Sequence, residues 1–225
     1  MKNKNLILIS IFSIALLFGS CANNNNPPSG CGTVTDIDGN VYQTVTIGTQ
    51  CWMMENLKVT KYRNGDPIPN VTDSASWVGL TTGAYCNYNN DLSNVITYGS
   101  LYNLYAVSDS RNIAPVGWHI PVYAELNTLI AYLGGIFYAG GKMKETGTSH
   151  WLSPNNADNS SGFTGLPGGR RTNGSYEYIG KYGLWWFITS DPPYYSHSFV
   201  LDQSLYLGDS SPMPTYGISV RCIKD

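Results

Sequence analysis

"TVTDIDGNVYQTVTIG", residues 33–48, alternates β-branched and polar side chains on both sides of Asp38-Gly39. Asp-Gly between two alternating runs signals a two-residue hairpin, because such turns need residues that accept a positive φ. The stretch therefore predicts an antiparallel β-hairpin as the first element of the fold. Asp36, Asp38 and Asn40 also look like the start of a calcium loop, but the later ligands and the terminal Glu of an EF-hand are missing. The turn is the better reading.

Moving outward from the hairpin, "CWMMENLKVTKY" (51–62) reads as a buried strand and a bend, and residues 63–97 read as loop. "YGSLYNLYAV" (98–107) puts Leu101, Leu104, Tyr105 and the following Ser108 on one helical face, which predicts a short half-apolar helix. "APVGWHIP" (114–121) is an extended connector, with proline at both ends. In "VYAELNTLIAYLGG" (122–135), Leu126, Leu129, Ile130 and Leu133 fall at i, i+3, i+4 and i+7, and Gly134-Gly135 supplies a stop. A helix is expected there. From 136 onward glycine returns in the chain. Its last third, in "GLWWFITSD", "SHSFVLDQSLYLGD" and "TYGISVRCIKD", alternates like short antiparallel strands. An N-terminal hairpin, two helices and a strand- and loop-rich C-terminal half imply an α+β fold.

Two lysines, Lys2 and Lys4, precede an apolar run from Leu6 to Phe18, which ends on Gly19-Ser20-Cys21. This is the order of an export signal, and the run is short for a bilayer span, which takes about 20 residues. The small pair abutting a cysteine looks like a bacterial lipobox. Residues 1–20 are then a lipoprotein signal peptide and Cys21 the acylated N-terminus. Residues 21–30, "CANNNNPPSG", read as a flexible tether, and 31–225 as one domain. The expected location is the bacterial cell envelope, lipid-anchored in the outer membrane, facing the periplasm or the exterior.

The chain carries 13 basic and 15 acidic residues, so it lacks the basic footprint of a nucleic-acid binder. Charged residues are only 12%, against 24 Gly and 17 Tyr, so the surface is polar through amides and hydroxyls. Tyr, Ser, Gly and Asn also typify recognition surfaces. Apart from Cys21 there are four cysteines: Cys31, Cys51, Cys86 and Cys222. An even count in an exported chain argues for two disulfides, with three pairings open. No C-x-x-C occurs, so no zinc site is expected. No metal or other cofactor is implied.

"DIDGNVYQTVTIGTQCWMMENLK", "TTGAYCNYNND", "YGSLYNLYAV", "APVGWHIP", "GGKMKETGTSHW", "GFTGLPGGRR", "YGLWW" and "YGISVRCIKD" occur in this order. Together they resemble the Fibrobacter succinogenes major paralogous domain, a family of exported and often lipid-anchored bacterial proteins, over 31–225. The resemblance implies no established activity and no catalytic residues. By analogy it implies a C-type-lectin-like fold, shared with formylglycine-generating-enzyme domains, in which the two ends of the domain pair as strands. That pairing joins Cys31 to Cys222 and leaves Cys51 for Cys86. Two departures from the family pattern stand out. Val122 replaces the usual capping Thr ahead of Glu125, which removes the capping box at a cost of about 1 kcal/mol. Phe187-Ile188 adds apolar bulk after Trp185-Trp186.

The chain has three histidines, His119, His150 and His197, and no G-x-S-x-G. His119 and His150 read as structural and partly buried, and His197 as the exposed one. Glu55, Glu125, Glu145 and Glu177 have no pairing visible in the sequence, whereas a glycosidase needs two carboxylates across a cleft. Aromatics gather in the last third. At least one of Trp185 and Trp186 is expected in the core, because adjacent strand residues face opposite ways. The expected function is a non-catalytic extracytoplasmic binding or adhesion module for an extracellular glycan or protein. The alternatives are a carbohydrate-active hydrolase and a structural envelope protein without a small ligand. The expected ligand face is the loops and strand edges of 191–216, with Tyr194, Tyr195, His197, Tyr206 and Tyr216 as contacts and Asp191 and Asp209 as polar partners.

Overall fold

The computed structural model describes residues 29–189 and 197–225. The expected hairpin is present: β1 (Thr33–Thr35) pairs antiparallel with β2 (Val41–Ile47). Its connection is longer than the two-residue turn expected. Thr35 pairs with Val41, and the Asp36 carboxylate organises the loop by accepting from Asp38 N–H, Asn40 N–H and the Tyr42 hydroxyl. The two-residue turn lies one hairpin later, at Gly48-Thr49, where Ile47 pairs with Gln50 and Gly48 has φ +64°. It leads into β3 (Gln50–Met53).

The stretch read as loop contains short elements: α1 (Ser74–Val78), β4 (Tyr85–Cys86) and α2 (Ser93–Tyr98). The helix expected over 98–107 is broken. Leu101–Tyr102 form β5, paired with β4, and only Leu104–Val107 make a single turn, α3, capped by Asn103. The connector contributes β6 (Trp118–His119).

The expected helix is α4 (Tyr123–Tyr132), and it buries Leu126 and Leu129. Val122 has no side-chain acceptor, yet half of the box survives: Glu125 accepts from Val122 N–H at 2.9 Å. Beyond Gly134-Gly135 a helix not expected from the glycines follows, α5 (Ile136–Met143). Gly140 and Gly141 sit inside it because a Cβ at Gly140 would lie 2.4 Å from the Tyr206 carbonyl oxygen, and one at Gly141 would lie 2.6 Å from Leu205. Close approach outweighs the helix propensity of about 1 kcal/mol that each glycine forfeits.

The last third forms β7 (Gly168–Thr172), β8 (Ser175–Ile179), β9 (Gly183–Phe187), β10 (His197–Leu201), β11 (Leu207–Ser210) and β12 (Ile223–Lys224). The fold is a mixture of five α-helices, among the described residues, with antiparallel sheets. The largest sheet has the order β1-β2-β3-β12-β6, and a second has the order β11-β10-β9. Along β9, Leu184 and Trp186 enter one core with Tyr42, Tyr102 and Val220, while Trp185 and Phe187 enter the other with Trp52, Leu129 and Phe163. Both tryptophans are therefore core residues.

The ends of the domain share a sheet but do not pair: β12 lies between β3 and β6, two strands from β1. This overturns the expected disulfides. Cys31 N–H donates to Thr44 Oγ1, and Cys51 pairs with Thr46, so the two sulfurs meet beside β2 and bond, with Cα atoms 6.2 Å apart. Cys86 and Cys222 are free and buried in separate cores. Burial pushes the Cys86 thiol up to about 11 and Cys222 higher still, so both are protonated.

Among the described residues, Arg221 is buried without an ion-pair partner. Its guanidinium donates to Asn56 Oδ1 (2.9 Å from Nη2) and to the Phe163 carbonyl, and it lies over the Phe163 and Trp185 rings at 4.1 and 5.5 Å. Burial lowers its pKa to about 9, which leaves it charged at neutral pH. Asn56 Oδ1 also accepts from Trp185 Nε1 at 2.7 Å, so one side-chain oxygen satisfies two buried donors. Asn56→Leu should therefore destabilise by about 3 kcal/mol or more, read by denaturant unfolding, since a buried cation and an indole N–H lose their acceptor. Non-reducing peptide mapping should return Cys31 joined to Cys51. Cys86 and Cys222 should react with a thiol reagent only after unfolding.

Candidate functional site

Of the expected ligand residues, His197 and Asp209 fall on the same side of the β9-β10-β11 sheet. His197, Phe199, Leu201, Leu207 and Asp209 share one face, while Ser198, Val200, Gly208 and Ser210 share the other. On the first face, His197 stacks on Phe187 (5.2 Å, 16°), with Nδ1 4.0 Å from Asp209. Its side chain is 32% exposed, against 32% for His119 and 33% for His150, so it is not the exposed exception expected. Tyr206 lies elsewhere, against Phe137 of α5 at 5.9 Å. Cys21, Asp191, Tyr194 and Tyr195 lie outside the described residues.

The second face carries an open cleft of about 260 Å³, lined by Arg170, Tyr178, Tyr182, Leu184, Val200 and Ser210. The Arg170 guanidinium lies 5.0 Å from the Tyr178 ring and 5.3 Å from that of Tyr216, and its Nη2 is 3.2 Å from Glu177. Tyr216, one of the expected contacts, thus belongs to this cluster. Tyr178 and Tyr182 meet edge to face at 5.0 Å. A second cleft of about 280 Å³ shares Tyr182 and adds Lys181, Asp202 and Gln203. Aromatic faces, a guanidinium, an amide and a carboxylate are thus set side by side.

The backbone holds Tyr178 there under strain. Its φ is +69°, unusual for a bulky side chain. Across the β7-β8 hairpin stands Gly169, also at positive φ (+65°), where a Cβ would lie 2.4 Å from the Glu177 carbonyl oxygen. The β7-β8 register places these two residues opposite each other, between the pairs Gly168–Ile179 and Arg170–Glu177. Such strain costs about 1–3 kcal/mol and persists only where the surroundings impose it. Tyr178 is nevertheless 41% exposed. Sequence reasoning missed it because nothing local marks a tyrosine at positive φ.

A third cleft, of about 330 Å³, is lined in part by Ser108, Asp109, His119, Val122 and Ile188. His119 looks like a catalytic base, but both ring nitrogens are engaged: Nε2 with Glu125 at 2.8 Å and Nδ1 with Asp225 at 2.7 Å. Ser108 donates its hydroxyl to the Leu104 carbonyl instead. The Glu125 hydrogen bond raises the His119 pKa, Asp225 adds to this, and burial opposes it. Burial resists ionisation of Glu125, but hydrogen bonds from His119 and Val122 N–H carry its pKa below the ordinary range. Among the described residues, no group of three His, Cys, Asp or Glu could hold a metal ion.

The family model of the Fibrobacter succinogenes major domain matches residues 45–224. The chain belongs to this family. No curated protein and no solved structure matches it. Three residues lining the aromatic cleft of this Fibrobacter succinogenes major domain, Arg170, Tyr182 and Leu184, fall in "GFTGLPGGRR" and "YGLWW". No helix among the described residues is long and apolar enough to cross a membrane.

His119 sets the pH dependence. Its folded-state pKa is raised, so its stabilisation is complete below the unfolded value of about 6.5 and is lost as pH climbs through the folded value. Glu125 has a lowered pKa, so its share is lost as pH falls through the folded-state value, below the ordinary carboxylate range. The melting temperature should therefore fall on raising the pH from 6 to 9, and His119→Gln should flatten that limb.

Proposed function

We propose that this protein is a non-catalytic extracytoplasmic binding lipoprotein, anchored through Cys21, that recognises a glycan on the Tyr178–Tyr182–Arg170 cleft. The observation that carries the proposal is Tyr178, kept partly exposed at φ +69° beside Arg170. A strained, exposed aromatic is retained more readily for binding than for packing. Sugar rings present apolar faces that stack on tyrosine and hydroxyls that bond to guanidinium, amide and carboxylate groups, and both kinds of partner line these clefts. The C-type-lectin-like assignment belongs to the same reading. It is supported by a C-terminal strand in the sheet of the N-terminal hairpin.

The hydrolase alternative would use the cleft at His119. It is the weaker reading, since each imidazole nitrogen already has a carboxylate partner and neither is turned to a hydroxyl nucleophile.

The test is a glycan array probed with wild type and Tyr178→Gly. Glycine accepts the positive φ, so the variant should melt at the same temperature or higher. Its binding should weaken by about tenfold or more, a typical loss for an aromatic anchor. Undiminished binding by Tyr178→Gly would refute this cleft as the ligand site.

A further inference from the structure

Large apolar side chains stand exposed around the α4–α5 junction. Tyr132 is 65% exposed, Phe137 69% and Tyr138 62%, and Leu205 and Tyr206 at the β10–β11 turn are each 41% exposed. The group is built rather than accidental. Phe137 and Tyr206 have ring centroids 5.9 Å apart. Gly140 and Gly141 bring the turn onto α5, and buried Lys144 holds the turn from beneath by donating to the Asp202 and Ser204 carbonyls, each at 2.6 Å.

Two observations indicate what covers this surface. The first is where the tether ends. The Ser29 carbonyl accepts from Thr46 N–H at 2.8 Å, and two residues further on the Tyr132 ring lies over Gly48, within 2.9 Å of where a Cβ would be. The chain thus enters the domain beside the aromatic group. The eight steps from Cys21 to Ser29 span at most about 28 Å. The second is charge. Residues 126–144 contain no Asp or Glu, and their two cations are Lys142 and Lys144, in a chain whose acids outnumber its bases. Lys142 is only partly buried and donates to the Leu133 carbonyl at the junction itself. Tyrosine and phenylalanine beside a lysine suit the interface of an anionic bilayer, and the one carboxylate of the β10–β11 turn, Asp202, accepts from Ser204 N–H and its hydroxyl.

We infer that the surface formed by Tyr132, Phe137, Tyr138, Leu205 and Tyr206 rests on the lipid headgroup region of the membrane that holds the anchor. The inference relies on acylation of Cys21 and not on the glycan cleft. Docking of this face turns a tether that could let the domain roll into one that fixes its orientation.

The test uses the full-length acylated protein in vesicles of phosphatidylethanolamine and phosphatidylglycerol. The vesicles also contain a phospholipid with a diazirine near its glycerol. After irradiation, peptide mapping should find lipid adducts on Phe137, Tyr138 or Tyr206. The variant Phe137→Ser/Tyr138→Ser should lose the adducts on this face and keep those on residues 21–28. Both changed residues are exposed, so melting should be unaltered. Adducts confined to 21–28, adducts spread evenly over the domain, or cross-links through Phe137 to a second copy would each overturn the docking. An unmodified Cys21 peptide would overturn the anchor and the docking together, and would leave the Tyr178→Gly result standing on its own.

Discussion

Arg221 and the strip of chain around it hold the domain together. From Gly217 to Asp225 the backbone bonds in turn to Arg171, Tyr102, Trp186, Leu57, Met53 and Gly117. Each partner lies in a different part of the molecule. The Arg221 side chain adds Asn56 and Phe163 to this set. A guanidinium in an apolar interior is costly unless every donor is met, so its position dictates where Asn56, the Phe163–Thr164 turn and the Trp185 indole must sit. The Phe163 and Trp185 rings beside it complete its solvation by cation–π contact.

The same device recurs twice. Arg171 is buried between the Trp77 and Tyr176 rings and donates to the Val71 and Thr72 carbonyls. Lys144 is buried over Trp151 and donates to the carbonyls of the β10–β11 turn. A chain rich in glycine and poor in long helices has many loop carbonyls that no ladder satisfies. Three buried cations gather them, so long irregular segments can be packed inside the domain without orphaned acceptors. This is how the loops become rigid enough to hold a tyrosine at positive φ on one face and an aromatic group on another.

The two surfaces follow from that rigidity. The Tyr178 cleft is set by opposed positive-φ residues in a hairpin whose other neighbour is the anchored Arg171. The α5 surface is set by the fit of Gly140 and Gly141 against a turn that Lys144 holds. Both rest on backbone close approach, and neither depends on a periodic side-chain pattern.

The amino-acid sequence by itself determined the family, the first hairpin, α4, the strand-rich last third and the burial of at least one of Trp185 and Trp186. These rest on local signals: period-2 alternation, i to i+7 spacing, turn residues and eight ordered motifs. Other features were decided only in three dimensions. Helix α5 was hidden because glycine weakens a helix locally and is retained only where another backbone presses on it. The partner of Cys31 depended on whether β12 lay beside β1 or β3, and strand order has no local signature. Of the ligand residues expected in 191–216, His197 and Asp209 share a sheet face, while Tyr206 lies against α5 and Tyr216 beside Arg170, because strand alternation says nothing of where loop residues are carried. His119 gained its character from a residue distant in the chain, Asp225, and Arg170 its second ring from Tyr216, and side-chain environments of that kind exist only once the chain has closed.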